Sequence, residues 1–209
     1  TDHLGLTWIA SGDGAYILFQ KPTYFKANLA DQDPLVSCRG FAEDTQGNIY
    51  SVTLVGAFIL RPSTGMIQLM PFSNEIYGQA VIADTQGKIW ITGEQNFLHC
   101  YTPATQQFTS YVLNVVEPFF SGWSIQQIRT GQLLIGTTNG LFTKNPLDKE
   151  NPTPFTKLNG YNTLTESCIY HILETDEGIW LTTDHGLFLV DMNTGVKEHI
   201  DKESANLPN

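Results

Sequence analysis

A chain of 209 residues with 41% hydrophobic, 11% aromatic and 15% charged residues can bury a sizeable core and is too apolar to be a disordered tail. Its formal charge of -10, from 21 acidic against 11 basic residues, comes with scattered lysines and arginines, which sets nucleic acid aside as a partner. No apolar run of about 18 residues is present, so no membrane-spanning helix is predicted within this segment.

Five glycine-led phrases recur along the chain: "GLTWIASGDGAYILF", "GNIYSVTLVGAFIL", "GKIWITGEQNFLHCY", "GQLLIGTTNGLFT" and "GIWLTTDHGLFLVD". Their first glycines, Gly5, Gly47, Gly87, Gly131 and Gly178, lie 42, 40, 44 and 47 residues apart. A period of that length marks a repeat architecture.

The first unit, 1–33, is predicted to hold strands over 7–11 and 15–19 and to start at the turn that follows an innermost strand, so it is one strand short. The second, 34–74, gives strands over 38–44, 49–53, 57–61 and 66–70, and the third, 75–115, over 79–84, 89–92, 97–101 and 108–113. The fourth, 116–160, gives 124–129, 133–137, 141–144 and 155–158; the fifth, 161–209, gives 168–174, 179–183, 187–190 and 196–200.

Asp44-Thr-Gln-Gly47 and Asp84-Thr-Gln-Gly87 place an acid at the first turn position and glycine where φ must be positive, the chemistry of a type I turn with a bulge. The second strand of each unit is apolar at successive positions, as in Ile89-Trp90-Ile91, and such a strand is buried on both faces. Four-stranded meanders repeated about every 43 residues, with central strands covered on both sides, are the blades of a β-propeller. The expected fold is therefore all-β, a single repeat array of about five four-stranded blades with the first incomplete. No spare terminal strand is available to latch a ring shut, so either five blades close without that latch or the chain is a segment of a larger ring; the segment is expected. Trp8, Tyr50, Trp90 and Trp180 are expected in the core.

"YHILETDEGIWLTTDHGLFLVDMNTG" and the trailing "ANLPN" resemble the two-component regulator propeller repeat. Its pattern is an inner strand leading to Asp-x-x-Gly, a Trp strand ending in Thr, Gly-Leu with an aromatic, and an Asp-x-x-Thr-Gly turn. The likeness covers all five units, although Tyr50 and Leu134 replace the tryptophan and Asn96 the second glycine. The resemblance implies a larger propeller of the seven-bladed type and a periplasmic sensor region of a hybrid histidine kinase, the extracytoplasmic part of an inner-membrane receptor, with no catalysis in this segment. It further implies an oligosaccharide or similar polymer breakdown product as ligand, and the rest of the receptor chain and a homodimer as partners. It supplies no ligand residues.

Geometry suggests where such a ligand would bind. In a propeller the links between blades and the hairpins joining strands two and three emerge on one face. Tyr77, Phe119, Phe120, Trp123 and Tyr161 would offer rings for sugar stacking there, and Asp13, Glu94, Gln95, Asn139, Asp184 and His185 would bond hydroxyls. Phe119, Phe120 and Trp123 could equally plug a blade junction.

The five histidines form no His-x-His or His-Glu-x-x-His pattern, so no metal or other cofactor is expected. Cys38, Cys100 and Cys168 have no metal-ligand spacing and an odd count, and are expected as free thiols. "GKIWIT" and "GIWLTT" also resemble repeats of the propeller-fold streptogramin lyases; that alternative would use His185 with Glu94 or Asp184 and a divalent metal. A protein-docking propeller is a third reading.

Overall fold

The computed structural model describes residues 1–2, 6–12, 14–18, 25–27, 37–71, 76–113, 121–156 and 161–204. Among these, the chain forms five antiparallel sheets, each a meander in chain order. Sheet 1 holds β1 (Thr7–Ser11), β2 (Gly14–Leu18) and β3 (Phe25–Ala27); sheet 2 holds β4 (Gly40–Glu43), β5 (Ile49–Thr53), β6 (Gly56–Arg61) and β7 (Met66–Leu69). Sheet 3 holds β8 (Gly78–Ala83), β9 (Ile89–Gly93), β10 (Phe97–Thr102) and β11 (Gln107–Val112). Sheet 4 holds β12 (Gly122–Gln127), β13 (Leu133–Thr137), β14 (Gly140–Lys144) and β15 (Thr153–Pro154). Sheet 5 holds β16 (Ile169–Glu174), β17 (Ile179–Thr183), β18 (Gly186–Asp191) and β19 (Gly195–Ile200). Sheet 1 is the three-stranded unit that the repeat phase predicts. The chain divides into two compact units, Thr1–Glu94 with His99–Ser110 and Gln95–Leu98 with Tyr111–Asn209.

The repeated acid does more than start a turn. Asp84 Oδ1 accepts the backbone N–H groups of Gln86 and Lys88, both at 2.9 Å, and Oδ2 accepts the indole N–H of Trp90 at 2.8 Å. Gly87, at φ 77°, closes the loop by donating to Asp84 O. Asp44 repeats this with Gln46, Asn48 and the Tyr50 hydroxyl at 3.0 Å. Burial, together with that carboxylate, pushes the Tyr50 hydroxyl pKa up. Asp2 does the same in sheet 1, where Trp8 donates to its Oδ2 at 2.7 Å. In sheet 4 the acid and the aromatic are replaced together, by Ile128 and Leu134, both buried, and the backbone bonds of the turn persist. Exchanging both partners for apolar groups leaves neither a buried carboxylate nor a buried indole N–H without its partner.

Within the first unit, Tyr50, Val52, Ala57 and Ile59 of sheet 2 pack against Val81, Ile89, Ile91 and Tyr101 of sheet 3. Within the second, Leu134 and Leu141 of sheet 4 pack against Ile172, Ile179, Leu181 and Phe188 of sheet 5. The inner ends of adjoining sheets approach closely. A Cβ on Gly78 would lie 2.5 Å from Val52 Cβ, and one on Gly136 would lie 2.3 Å from Ser124 Oγ and 2.8 Å from Ile169 Cγ2.

Three sequence expectations need correction. The strand expected over 155–158 is instead the two-residue β15, because Pro152 and Pro154 lack the N–H a longer ladder requires. Phe155 donates to Leu141 O and buries its ring; 157 and 158 fall outside the described residues. The link between β15 and β16 contains a one-turn helix, α1 (Thr163–Glu166), with Leu164 buried. Trp8, expected in the core, is only partly buried, and so is Trp180. The turn before it, Thr175 to Gly178, is one residue shorter than Asp84 to Lys88 and has Thr175 in the acid's place. Trp180 lines an open apolar groove of about 510 Å³ with His171, Leu173, Thr182 and Leu187, and Leu173 is 55% exposed.

Candidate functional site

In three sheets the innermost strand carries one extra residue near its start. The register shifts between Gly78 and Ala80 in β8, Gly122 and Ser124 in β12, and Ile169 and His171 in β16. The bulged residues are Gln79, Trp123 and Tyr170. Arg39 holds the same place ahead of β4: its N–H donates to Val52 O, while Gly40 pairs with Val52. A bulge releases its side chain from the pleat and re-aims it, a device common beside binding sites.

The hairpin between strands two and three ends beside this bulge. Glu94 donates its N–H to Tyr77 O at 2.9 Å, Thr138 to Ser121 O at 2.9 Å, and Asp184 to Cys168 O at 3.3 Å. Each of these sheets therefore presents a bulged residue next to a hairpin-tip residue.

In the first unit this end carries Arg39, Tyr77, Gln79 and Glu94. Arg39 Nη1 donates to Gln79 Oε1 at 2.8 Å, and Gln79 Nε2 donates to Glu94 Oε1 at 3.5 Å. Gln79 is only 7% exposed, whereas Tyr77 is 45% exposed. Tyr77 and Glu94 are legible in the sequence as site candidates; Arg39 and Gln79 are not, because the sequence shows them simply as the first residues of a strand.

The second unit carries Trp123, Asn139, Tyr161, Asp184 and His185. The Trp123 ring meets Tyr170 edge-on at 6.2 Å, and its buried indole N–H has no acceptor among the described residues. Asp184 Oδ1 accepts the Cys168 N–H at 2.9 Å and lies 3.0 Å from His185 Nδ1. Ser167 Oγ is also 3.0 Å from that nitrogen and donates to Thr163 O. Serine and aspartate thus compete for one ring atom, which caps α1 and cannot relay a proton from Ser167 through the imidazole to Asp184. The half-exposed Tyr161 stands edge-on to Phe188 and His199, and those two rings stack at 4.0 Å. His199 Nε2 donates to His185 O at 2.8 Å. Asn139 sits at the hairpin tip with its N–H on Thr137 Oγ1. Gly140, at φ +89°, presses against Leu164 O and Thr165 O and leaves no space for a Cβ.

Burial raises the Cys168 thiol pKa, Asp184 adds to that, and the thiol in turn raises the Tyr170 hydroxyl. Cys38 is likewise raised by burial, and all three cysteines are free thiols. Asp13, Phe119 and Phe120 lie outside the described residues. Among the described residues, no three His, Cys, Asp or Glu side chains converge as a metal site, and no helix is long and apolar enough to cross a membrane.

No family model matches this chain, and no curated protein matches it. Solved structures do. The extracellular domain of the hybrid two-component system BT4673 from B. thetaiotaomicron is 24% identical with a TM-score of 0.72, covering 86% of this chain and 25% of its own. The corresponding domain of BT3049 is 20% identical with a TM-score of 0.72, covering 94% of this chain and 28% of its own. Virginiamycin B lyase from Staphylococcus aureus is 14% identical with a TM-score of 0.71, covering 95% of this chain and 67% of its own. The chain spans about a quarter of the length of the two sensor domains. At these identities the likeness establishes the fold, and the chain is an all-β protein built of β-propeller blades.

Proposed function

We propose that this chain is a non-catalytic, ligand-binding part of the extracytoplasmic propeller of a two-component receptor, and that its ligand is an oligosaccharide or a similar polymer breakdown product. The observation that carries the reading is the pairing, sheet by sheet, of a bulged residue with a hairpin-tip residue, so that the most varied positions of the repeat gather at one end of each sheet. Tyr77, Tyr161 and Trp123 offer ring faces and Glu94, Asn139, Asp184 and His185 offer polar atoms, the mixture a sugar needs. Asp13 belongs to the same proposed set. The structural likeness to extracellular sensor domains supports the location, with the periplasm as compartment and the remaining receptor chain and a second copy as partners. Ligand binding would act by favouring one arrangement of the receptor over another.

The test is calorimetry of the chain against a panel of plant and host oligosaccharides, repeated with Tyr161→Ala and Asp184→Ala. Binding that weakens about tenfold or more in either variant supports the site. Stabilisation by a divalent metal alone, with turnover of a cyclic depsipeptide, would replace this reading with the lyase one.

A further inference from the structure

The sheet 2 and sheet 3 end of the first unit contains an arginine that is held by an amide and has no carboxylate partner among the described residues. Of the three arginines in the sequence, Arg129 is ion-paired with Glu174 and Asp176, and Arg61 bonds the Gln68 amide. Arg39 is exposed, and the one side-chain partner it has among the described residues is the Gln79 amide, through Nη1 at 2.8 Å. Gln79 is held in turn by burial and by Glu94. The amide therefore links the guanidinium to the Glu94 carboxylate as a neutral intermediary, and it takes up one of the five guanidinium N–H groups.

An oriented guanidinium with no carboxylate partner among the described residues, in a chain of formal charge -10, is suited to a ligand that brings its own anion. A planar fork matches a carboxylate bidentately, and Glu94 beside it accepts only donors such as hydroxyl groups. The half-exposed Tyr77 adds a ring face at the same end. We infer that Arg39, positioned by Gln79, is the carboxylate seat of the ligand site, and that the ligand class is an acidic sugar, a uronic acid whose hydroxyl edge faces Glu94. This rests on the proposal that the chain binds saccharides.

The test is calorimetry of the chain with uronic-acid disaccharides (digalacturonate, dimannuronate, diguluronate and cellobiouronate), their methyl esters, neutral disaccharides and a sulfated disaccharide. At least one uronate should bind about tenfold or more tighter than its own methyl ester, with affinity falling as salt is raised. Arg39→Gln should abolish that preference, bringing the uronate down to the affinity of its ester, and Gln79→Met should reduce it with Arg39 still present. Equal binding of acid and ester, a preference that survives Arg39→Gln, or stronger binding of the sulfated sugar overturns the inference. Neutral sugars binding with no effect of Arg39→Gln would leave the saccharide reading standing and sink this one; no saccharide binding at all would sink both.

Discussion

Replacing Asp84 with alanine tests whether the carboxylate is the latch that ties each turn to its buried strand. Asp84 and Trp90 are 4% and 0% exposed. The substitution removes the acceptor for two backbone N–H groups and one indole N–H, and the indole then has no water to turn to. A capping loss of about 1 kcal/mol and an unpaired buried donor costing about 1–3 kcal/mol sum to roughly 3 kcal/mol. That is a large part of the stability of an ordinary domain. Asp84→Asn should cost less, since its amide keeps one oxygen for the turn but opposes the indole N–H with a second donor. Urea denaturation of Asp84→Ala, Trp90→Phe and the double variant gives a cycle in which the coupling should be about 1–2 kcal/mol, because a phenyl ring in place of the indole has no N–H that needs the carboxylate. The pair Ile128 and Leu134 in sheet 4 is a double exchange of the same kind already present in the chain. A coupling of zero, or an Asp84→Asn variant as stable as the parent, would refute the latch.

Gly78→Ala and Gly136→Ala should each destabilise by about 1–3 kcal/mol through overpacking, read as a lower urea midpoint, given the 2.5 Å and 2.3 Å approaches their Cβ atoms would make. Lys144→Met should cost about 1–3 kcal/mol in the same assay, since the Lys144 ammonium, 1% exposed, donates to Asn145 O, Asp148 O and Asp148 Oδ1. Burial lowers the His99 pKa to about 4, below an unfolded value of about 6.5. Its contribution to stability is present above pH ~6.5 and lost as pH falls towards 4, so His99→Gln should flatten the stability profile across that window. The N–H groups of Thr194 and Asn193 hold the Asp191 carboxyl down at about 2. Stability from Asp191 is therefore present above the unfolded carboxyl range and lost as pH falls towards 2, so Asp191→Asn should lower stability above pH ~4 and flatten the acid limb of the profile below it.

Much of this fold is legible in the sequence because each repeat concentrates its signal: a positive-φ glycine, an apolar second strand and a Gly-led hairpin at matching offsets. The strand at 153–154 is harder to place, because Phe155 and Leu158 look like strand residues while the prolines that limit the ladder lie just before them. The apolar neighbours of Trp180 suggest a covered strand, yet the sheet face that it shares with Leu173 and Thr182 is open, and the ring is left half-buried. The latch from Asp84 to Trp90 spans six residues, and the sequence shows only its turn half. The bulges leave no trace there, since one added residue at a strand start reads as a longer strand. That is why Tyr77, Glu94, Asp184 and His185 can be nominated from loop position, whereas Arg39, Gln79 and Tyr170 emerge only from the register.

Every other strand residue answers to two masters, the pleat that sets its face and the neighbouring sheet that fills the gap. The bulged residue answers to neither. A cation, an amide, an indole and a phenol occupy the same place in four repeats whose packing chemistry is otherwise shared. Ligand preference in such a scaffold can drift at the exposed Arg39 and Tyr170 with little cost to folding, whereas the buried Gln79 changes only with its neighbours, so closely similar propellers can respond to unlike molecules.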